Sequence, residues 1–296
     1  MKNSVIGLYK NGNYTVILYE DGSKVRYNNE DTLTPSFPES IDCKISNRCD
    51  IGCLFCHENS TPSGDLADLN APFFESLHPF TELALGGGNV FEHPGLEDFL
   101  ARMAAKKIIC NVTVHLHHFK QYYDTIKEYA EKGYIHGIGI SINSNINDEE
   151  LALISSLPNI VVHCIAGVVP YSTLVKMAYH NIKLLFLGYK TFGRGTMYGK
   201  QHDSDILNNI VYIVTHMKEL QEWFPVISFD NLAIKQLHVK DIVDPKTWEK
   251  IYMGDDGQYT MYIDAVKMEY AISSTSPRKP IGEENDIIKL FNNCRT

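Results

Sequence analysis

Residues 41–56 read IDCKISNRCDIGCLFC, a short strand-like run from Ile41 to Ile45 that leads directly into a loop with cysteines at 49, 53 and 56. In α/β folds the loops at the carboxyl ends of parallel strands carry the chemistry, so position and residue type agree. Thiolates bind zinc and iron-sulfur clusters, and three of them on one tight loop can converge on a single metal centre without help from distant residues. Gly52 lets that loop turn sharply.

Downstream, short apolar runs recur at Leu83 to Leu85, Ile108 to Val114, Gly137 to Ile142, Ile160 to Val169 and Leu184 to Leu187. Between them helical patterns are predicted at 71–79, 95–106, 118–132, 148–156 and 171–180, and a sixth runs from Asp203 to Trp223. Such alternation argues for parallel strands joined by right-handed crossovers, here a partial (β/α)6 barrel. Upstream, residues 4–28 form Val-, Ile- and Tyr-rich runs broken by Asn11-Gly12 and Asp21-Gly22, hairpin dipeptides that supply positive φ. They predict an N-terminal antiparallel β meander, and the Pro-, Ser- and Thr-containing stretch from Asp31 to Ser40 predicts a linker. Beyond the barrel, Val226 to Leu237 and Gln258 to Ala265 read as further strands, and the tail from Ser273 reads as polar and irregular. The expected organisation is therefore α/β, with a meander over 1–36, a barrel over 37–225 and a C-terminal α+β extension over 226–296.

The chain has 296 residues, 44% of them hydrophobic, enough for one large core. A net charge of -9 lacks the basic excess of a nucleic-acid footprint. The opening apolar stretch, Val5 to Tyr9, is too short for a secretory signal, and the longest apolar run, Asn159 to Pro170, is interrupted by His163 and too short to span a bilayer. A cytoplasmic protein with no membrane segment is expected. Seven cysteines, three of them within eight positions, make a poor disulfide framework and fit a reducing compartment.

A structural zinc site wants four protein ligands, for which His57 is the nearest fourth candidate. An electron-transfer [4Fe-4S] protein wants a fourth cysteine, but Cys43, Cys110, Cys164 and Cys294 are scattered among predicted strands and the tail. The spacing Cys49-x3-Cys53-x2-Cys56, with Phe55 before the last cysteine, resembles the signature loop of the radical S-adenosylmethionine (SAM) superfamily. The resemblance covers about residues 41–190. A noncatalytic zinc-binding or iron-sulfur electron-transfer protein is the alternative class, and an activase acting on a partner protein is the alternative within the enzyme class.

That resemblance implies a single [4Fe-4S] cluster on Cys49, Cys53 and Cys56 and reductive cleavage of SAM to a 5′-deoxyadenosyl radical that abstracts hydrogen from a substrate. It also implies an electron donor such as flavodoxin or ferredoxin. Gly86-Gly87-Gly88-Asn89 stands where the family has a Gly-Gly-Glu-Pro element binding the methionine amino group; Asn89 and Val90 replace the usual Glu and Pro. Ser141 and Asn143 resemble the polar pair near the SAM ribose and carboxylate. Phe55 belongs to the signature, Ile165 corresponds to the residue packing on adenine, and Gly188 to the backbone that meets it. The absence of further cysteine groups after residue 226 disfavours peptide-modifying members with auxiliary clusters, but small-molecule, nucleotide-derived, peptide and protein substrates all stay open.

Candidates for substrate contact lie at the same rim: His115, His117 and His118 after the third strand, and Tyr189, Lys190 and Arg194 after the sixth. The glycine-punctuated stretch 188–195 could close over a ligand, with Lys190 and Arg194 favouring an anionic group. The histidine run reads first as a hydrogen-bonded loop and second as a metal site. Asp230 and Asn231 read as a turn, while Tyr262, Asp264 and Tyr270 read as the exposed face of a strand.

Overall fold

The structure, a computed structural model, describes residues 4–283 and 285–295; the ends of the sequence-defined segments at 1–3 and 296 lie outside the described residues. Thirteen strands are assigned among them: β1 (Val5–Asn11), β2 (Tyr14–Tyr19), β3 (Lys24–Tyr27), β4 (Ser40–Ser46), β5 (Glu82–Gly87), β6 (Ile109–His115), β7 (Gly137–Ser141), β8 (Ile160–Ile165), β9 (Lys183–Leu187), β10 (Val226–Phe229), β11 (Thr260–Asp264), β12 (Glu269–Ala271) and β13 (Lys279–Pro280). The helices are α1 (Leu96–Ala105), α2 (Leu116–Gln121), α3 (Tyr123–Glu131), α4 (Asp148–Ile154), α5 (Tyr171–Met177), α6 (Arg194–Thr215), α7 (Met217–Trp223), α8 (Asn231–Gln236), α9 (Val239–Ile242), α10 (Pro245–Ile251) and α11 (Ile287–Arg295).

β1–β3 pair antiparallel in a sheet of their own. All six strands expected from the barrel pattern form and lie side by side in chain order, β4 to β9, every pair parallel. The sheet is longer than that pattern: β10 adds parallel to β9 at one edge, and β11 adds parallel to β4 at the other, followed by antiparallel β12 and β13. Two strands assigned from sequence to an appended segment thus extend the same ladder. One apolar core joins them, from Ile41 through Met261 and Ile263 to Phe291.

Parallel pairing puts paired residues on one face. Ile41, Cys43, Leu83, Leu85, Val112, Ile140, Val162, Leu184 and Phe186 are buried in the core they share with the helices. The other face carries Asp42, Ala84, Asn111, Thr113, His163 and Ser228, all at least partly accessible, so it is polar and open.

Local physics moved several helix boundaries. The segment 71–79 holds only a 3-10 turn, Pro72–Ser76, entered through Pro72 and carrying the fully buried Phe73 and Phe74. The helix expected at 118–132 starts at Leu116, capped by the His115 ring, and breaks at Tyr122. The helix expected from Asp203 begins at Arg194, with a non-helical His202 inside, and breaks at His216 before α7; the supposed closing loop therefore ends in the first turn of a helix. Val226 to Leu237 is half strand, half helix, because the Asp230 carboxylate accepts the Ala233 N–H and starts α8. The tail from Ser273 contains β13 and α11. No described helix is long and apolar enough to cross a membrane.

Candidate metal centre at the carboxyl end of the first parallel strand

The chain leaves β4 at Ser46 and folds back on itself before returning past Leu66. Asn47 N–H donates to Asp65 O at 2.8 Å, Cys49 N–H to Thr61 O at 2.8 Å, and Cys56 N–H to Cys53 O at 3.2 Å. Gly52 takes φ +69°, as a sharp turn requires. Two other elements pin the loop. After β5, Gly88 N–H donates to Ser46 O and Asn89 N–H to Arg48 O, each at 2.7 Å. At the start of α6, Arg194 N–H donates to Cys56 O at 3.0 Å, while its guanidinium donates to Cys53 O at 2.9 Å and Ser60 O at 3.0 Å. Arg194, expected at the substrate rim, is a brace for the cysteine loop.

Cys49, Cys53 and Cys56 are partly exposed and unbridged. Burial raises the Cys49 and Cys53 thiols above their usual range, and the neighbouring thiols raise them further, Cys56 acting on Cys49 and both Cys49 and Cys56 acting on Cys53. A cationic centre bound among three sulfurs relieves that repulsion, so the donor set fits a thiolate-bound cluster. The remaining cysteines sit on β4, β6, β8 and α11.

Beside Cys49 stands a pairing that sequence reading missed. His118 Nε2 lies 2.7 Å from Asp50 Oδ1, and ligand-type atoms of Cys49, Asp50 and His118 all fall within 4.8 Å of one another. The His118 hydrogen bond holds the Asp50 carboxyl below its usual range. His57, the fourth ligand a zinc site would want, instead has Nε2 3.3 Å from Glu58 Oε1 and 3.4 Å from Lys190 Nζ.

The positions expected to meet SAM divide into two groups. Phe55 and Ile165 pack in one apolar cluster with Val168, Tyr189 and Ile206, and Phe55 meets the Tyr198 ring edge-on at 5.7 Å. Asn143 Oδ1 accepts the Ile165 N–H at 2.7 Å, tying the end of β7 to that of β8. Ser141 and His117 share a cleft of about 120 Å³ with His115, Lys120 and Glu150. Gly86 borders open space and Gly87 takes φ +106°. Other positions are already engaged: the Asn89 side chain caps a 3-10 turn, Gly188 N–H donates to Asp230 at 2.9 Å, and Gln236 takes both backbone groups of Tyr189. Lys190 donates to Ser274 at 2.9 Å, and the Tyr189 hydroxyl donates to Gly195 O.

Tyr262, Asp264 and Tyr270 are buried, contrary to the exposed face expected for them. Asp264 accepts from Arg278 at 2.6 Å and Lys44 at 3.3 Å, and Lys44 reaches Glu58 at 2.6 Å. Burial alone would raise Glu58, but His57 and Lys44 pull it well below the usual carboxylate range. The Tyr262 hydroxyl donates to Glu58 at 3.2 Å. The cation on the strand before the cysteine loop is thereby tied to an acid just after it and to the neighbouring strand β11.

A Cβ at Gly88 would drive into the Arg48 carbonyl oxygen, a backbone atom with no freedom to swing away. Gly88→Ala is expected to cost about 1–3 kcal/mol, the usual penalty of overpacking, and to speed alkylation of the loop cysteines as the Gly88 and Asn89 anchors loosen. A thermal melt and a thiol-labelling time course matching the unsubstituted protein would refute this.

No protein-family model and no curated protein matches the chain. Solved structures do. SuiB of Streptococcus suis bound to precursor peptide SuiA superposes with a TM-score of 0.60 at 14% identity, covering 87% of this chain and 65% of that one. SuiB bound to S-adenosylmethionine gives 0.57 at 12%, covering 87% and 66%. A further SuiB structure gives 0.58 at 10%, covering 98% and 87%. The chain thus spans just under two thirds of the first two, and the likeness is one of fold.

Proposed function

We propose that this chain is a radical SAM enzyme, built as a partial barrel, in which Cys49, Cys53 and Cys56 hold a [4Fe-4S] cluster with one iron left for SAM. One observation carries the reading: three thiols stand on one pinned loop, at the carboxyl end of the first parallel strand, with no other cysteine in that loop. The cluster, reduced by a donor such as flavodoxin or ferredoxin, would supply the electron that cleaves SAM to methionine and the 5′-deoxyadenosyl radical used on the substrate.

The chain's own residues hold and shield. Arg194, Gly88 and Asn89 keep the loop on its stem; the Phe55–Ile165 cluster packs on the adenine and excludes water; Ser141 and Asn143 meet the polar end of SAM. Gly86 and Gly87 let the methionine part approach the backbone closely. The open face carrying Asp42, Asn111, Thr113 and His163 takes the substrate. The fold shared with SuiB, solved with SAM and with a precursor peptide, favours a peptide over a small molecule.

The test is anaerobic. Reconstituted protein, SAM and a strong reductant should yield 5′-deoxyadenosine and methionine, and Cys53→Ala should yield neither above background. A protein with a verified cluster and no product is an electron-transfer protein; one that takes up zinc in place of iron is a structural zinc protein.

A further inference from the structure

The run His115-Leu116-His117-His118 is the sequence feature that the proposed function leaves unused, and its three rings do different things. His115 Nδ1 accepts the His117 N–H at 3.1 Å and caps α2. His117 is exposed at the cleft. His118 turns the other way: it is 1% exposed, and its Nε2 lies 2.7 Å from Asp50 Oδ1. Asp50 itself is an open surface residue, its side chain 54% exposed, placed between Cys49 and Cys53. Nothing about an acid in that position requires a buried imidazole 68 residues away. The pair brings the His118 ring nitrogen within 4.8 Å of the Cys49 sulfur.

Resting on the reading that these cysteines hold an iron-sulfur cluster, we propose that His118 is a positioning residue for that cluster, holding the Cys49 arm of the loop against α2 through Asp50 and setting the polarity beside the Cys49 sulfur. Partners that orient ligands without binding metal govern affinity and potential strongly, with losses of roughly 10–100-fold in metal affinity when they are removed. The exposed Asp50 side of the contact separates this role from a fold-stabilising one. The Asp50 carboxylate is exposed and rehydrates when its partner goes, so His118→Ala leaves no buried charge stranded.

The experiment compares reconstituted wild type, His118→Ala, His118→Gln, Asp50→Ala and the His118→Ala/Asp50→Ala pair, all without SAM. It reads iron per chain, the rate of iron loss to a chelator, and the midpoint potential followed by electron paramagnetic resonance. His118→Ala and Asp50→Ala should each lose iron roughly 10-fold faster and shift the potential in one direction. The double variant should be no worse than either single one, and His118→Gln, which keeps a donor, should lie between. Wild-type retention and potential in folded His118→Ala, or in Asp50→Ala should the first variant fail to fold, overturns the proposal while SAM cleavage by wild type still stands. Strong ¹⁴N coupling in the pulsed spectrum, lost in His118→Ala, would make His118 a ligand and also overturn it. A wild type that binds no iron removes both readings together.

Discussion

Asp264→Ala is expected to destabilise the protein by about 3–5 kcal/mol, the range for removing one partner from a buried ion pair. Asp264 is 0% exposed and Lys44, its partner at 3.3 Å, has a side chain only 3% exposed. With the carboxylate gone, Lys44 keeps Glu58 alone, and the Arg278 guanidinium loses its 2.6 Å acceptor. The Lys267 N–H, bonded to Asp264 Oδ1 at 3.0 Å, is orphaned as well. Arg278→Ala should cost much less, since its side chain is 23% exposed and Lys44 remains to pair Asp264. Urea unfolding followed by circular dichroism measures both variants; equal midpoints for Asp264→Ala and Arg278→Ala would refute the ranking. Because Lys44 also holds Glu58, two residues past Cys56, Asp264→Ala should loosen the cysteine loop before the whole molecule unfolds.

The contrast between Asp264 and the six central strands marks how far local sequence reaches. The positions of β4 to β9 follow from short apolar runs and from the helical patterns between them, and both signals are local. Membership of β10 and β11 in the same sheet is set by partners more than 30 residues away, so a pattern of apolar residues could give their existence but not their neighbours. Helix α6 begins within a stretch holding Gly188, Gly193 and Gly195, which read as a loop; its first turn is held because Arg194 donates to Cys56 O, a tertiary bond.

The site divides along the same line. The cysteine spacing announces itself because all the donors lie on one loop. Asp264 alternated with apolar residues as an exposed strand residue would, and its burial is made tolerable by Lys44, 220 positions earlier, together with Arg278. His118 stood in a histidine run whose obvious reading concerned its neighbours in sequence, while its actual partner is on the cysteine loop. Arg194 carried the charge of an anion-binding residue, yet its guanidinium is spent on two loop carbonyls.

A second large effect should appear on acidification. His163 lies on the open face of β8, its ring laid over Gly139 so that no side chain would fit there, with Thr113 alongside. Though partly accessible, the ring is desolvated against Gly139 and Thr113, which pushes its imidazole down to about 4, and no neighbouring charge offsets it. A folded pKa below the unfolded value near 6.5 means that the stability of the neutral form is complete above about pH 6.5 and is lost as the pH falls through the interval down to about 4. Linkage then gives a loss of at most about 2 kcal/mol at pH 5 relative to pH 7.5, and His163→Gln, which cannot titrate, should be spared that part. Urea unfolding of the two proteins at pH 7.5 and pH 5 measures the difference; parallel losses would show that His163 is hydrated and ordinary. The expected divergence would mean that the face assigned to the substrate carries a neutral imidazole at physiological pH, able to donate and accept one hydrogen bond each and unable to repel a cationic group.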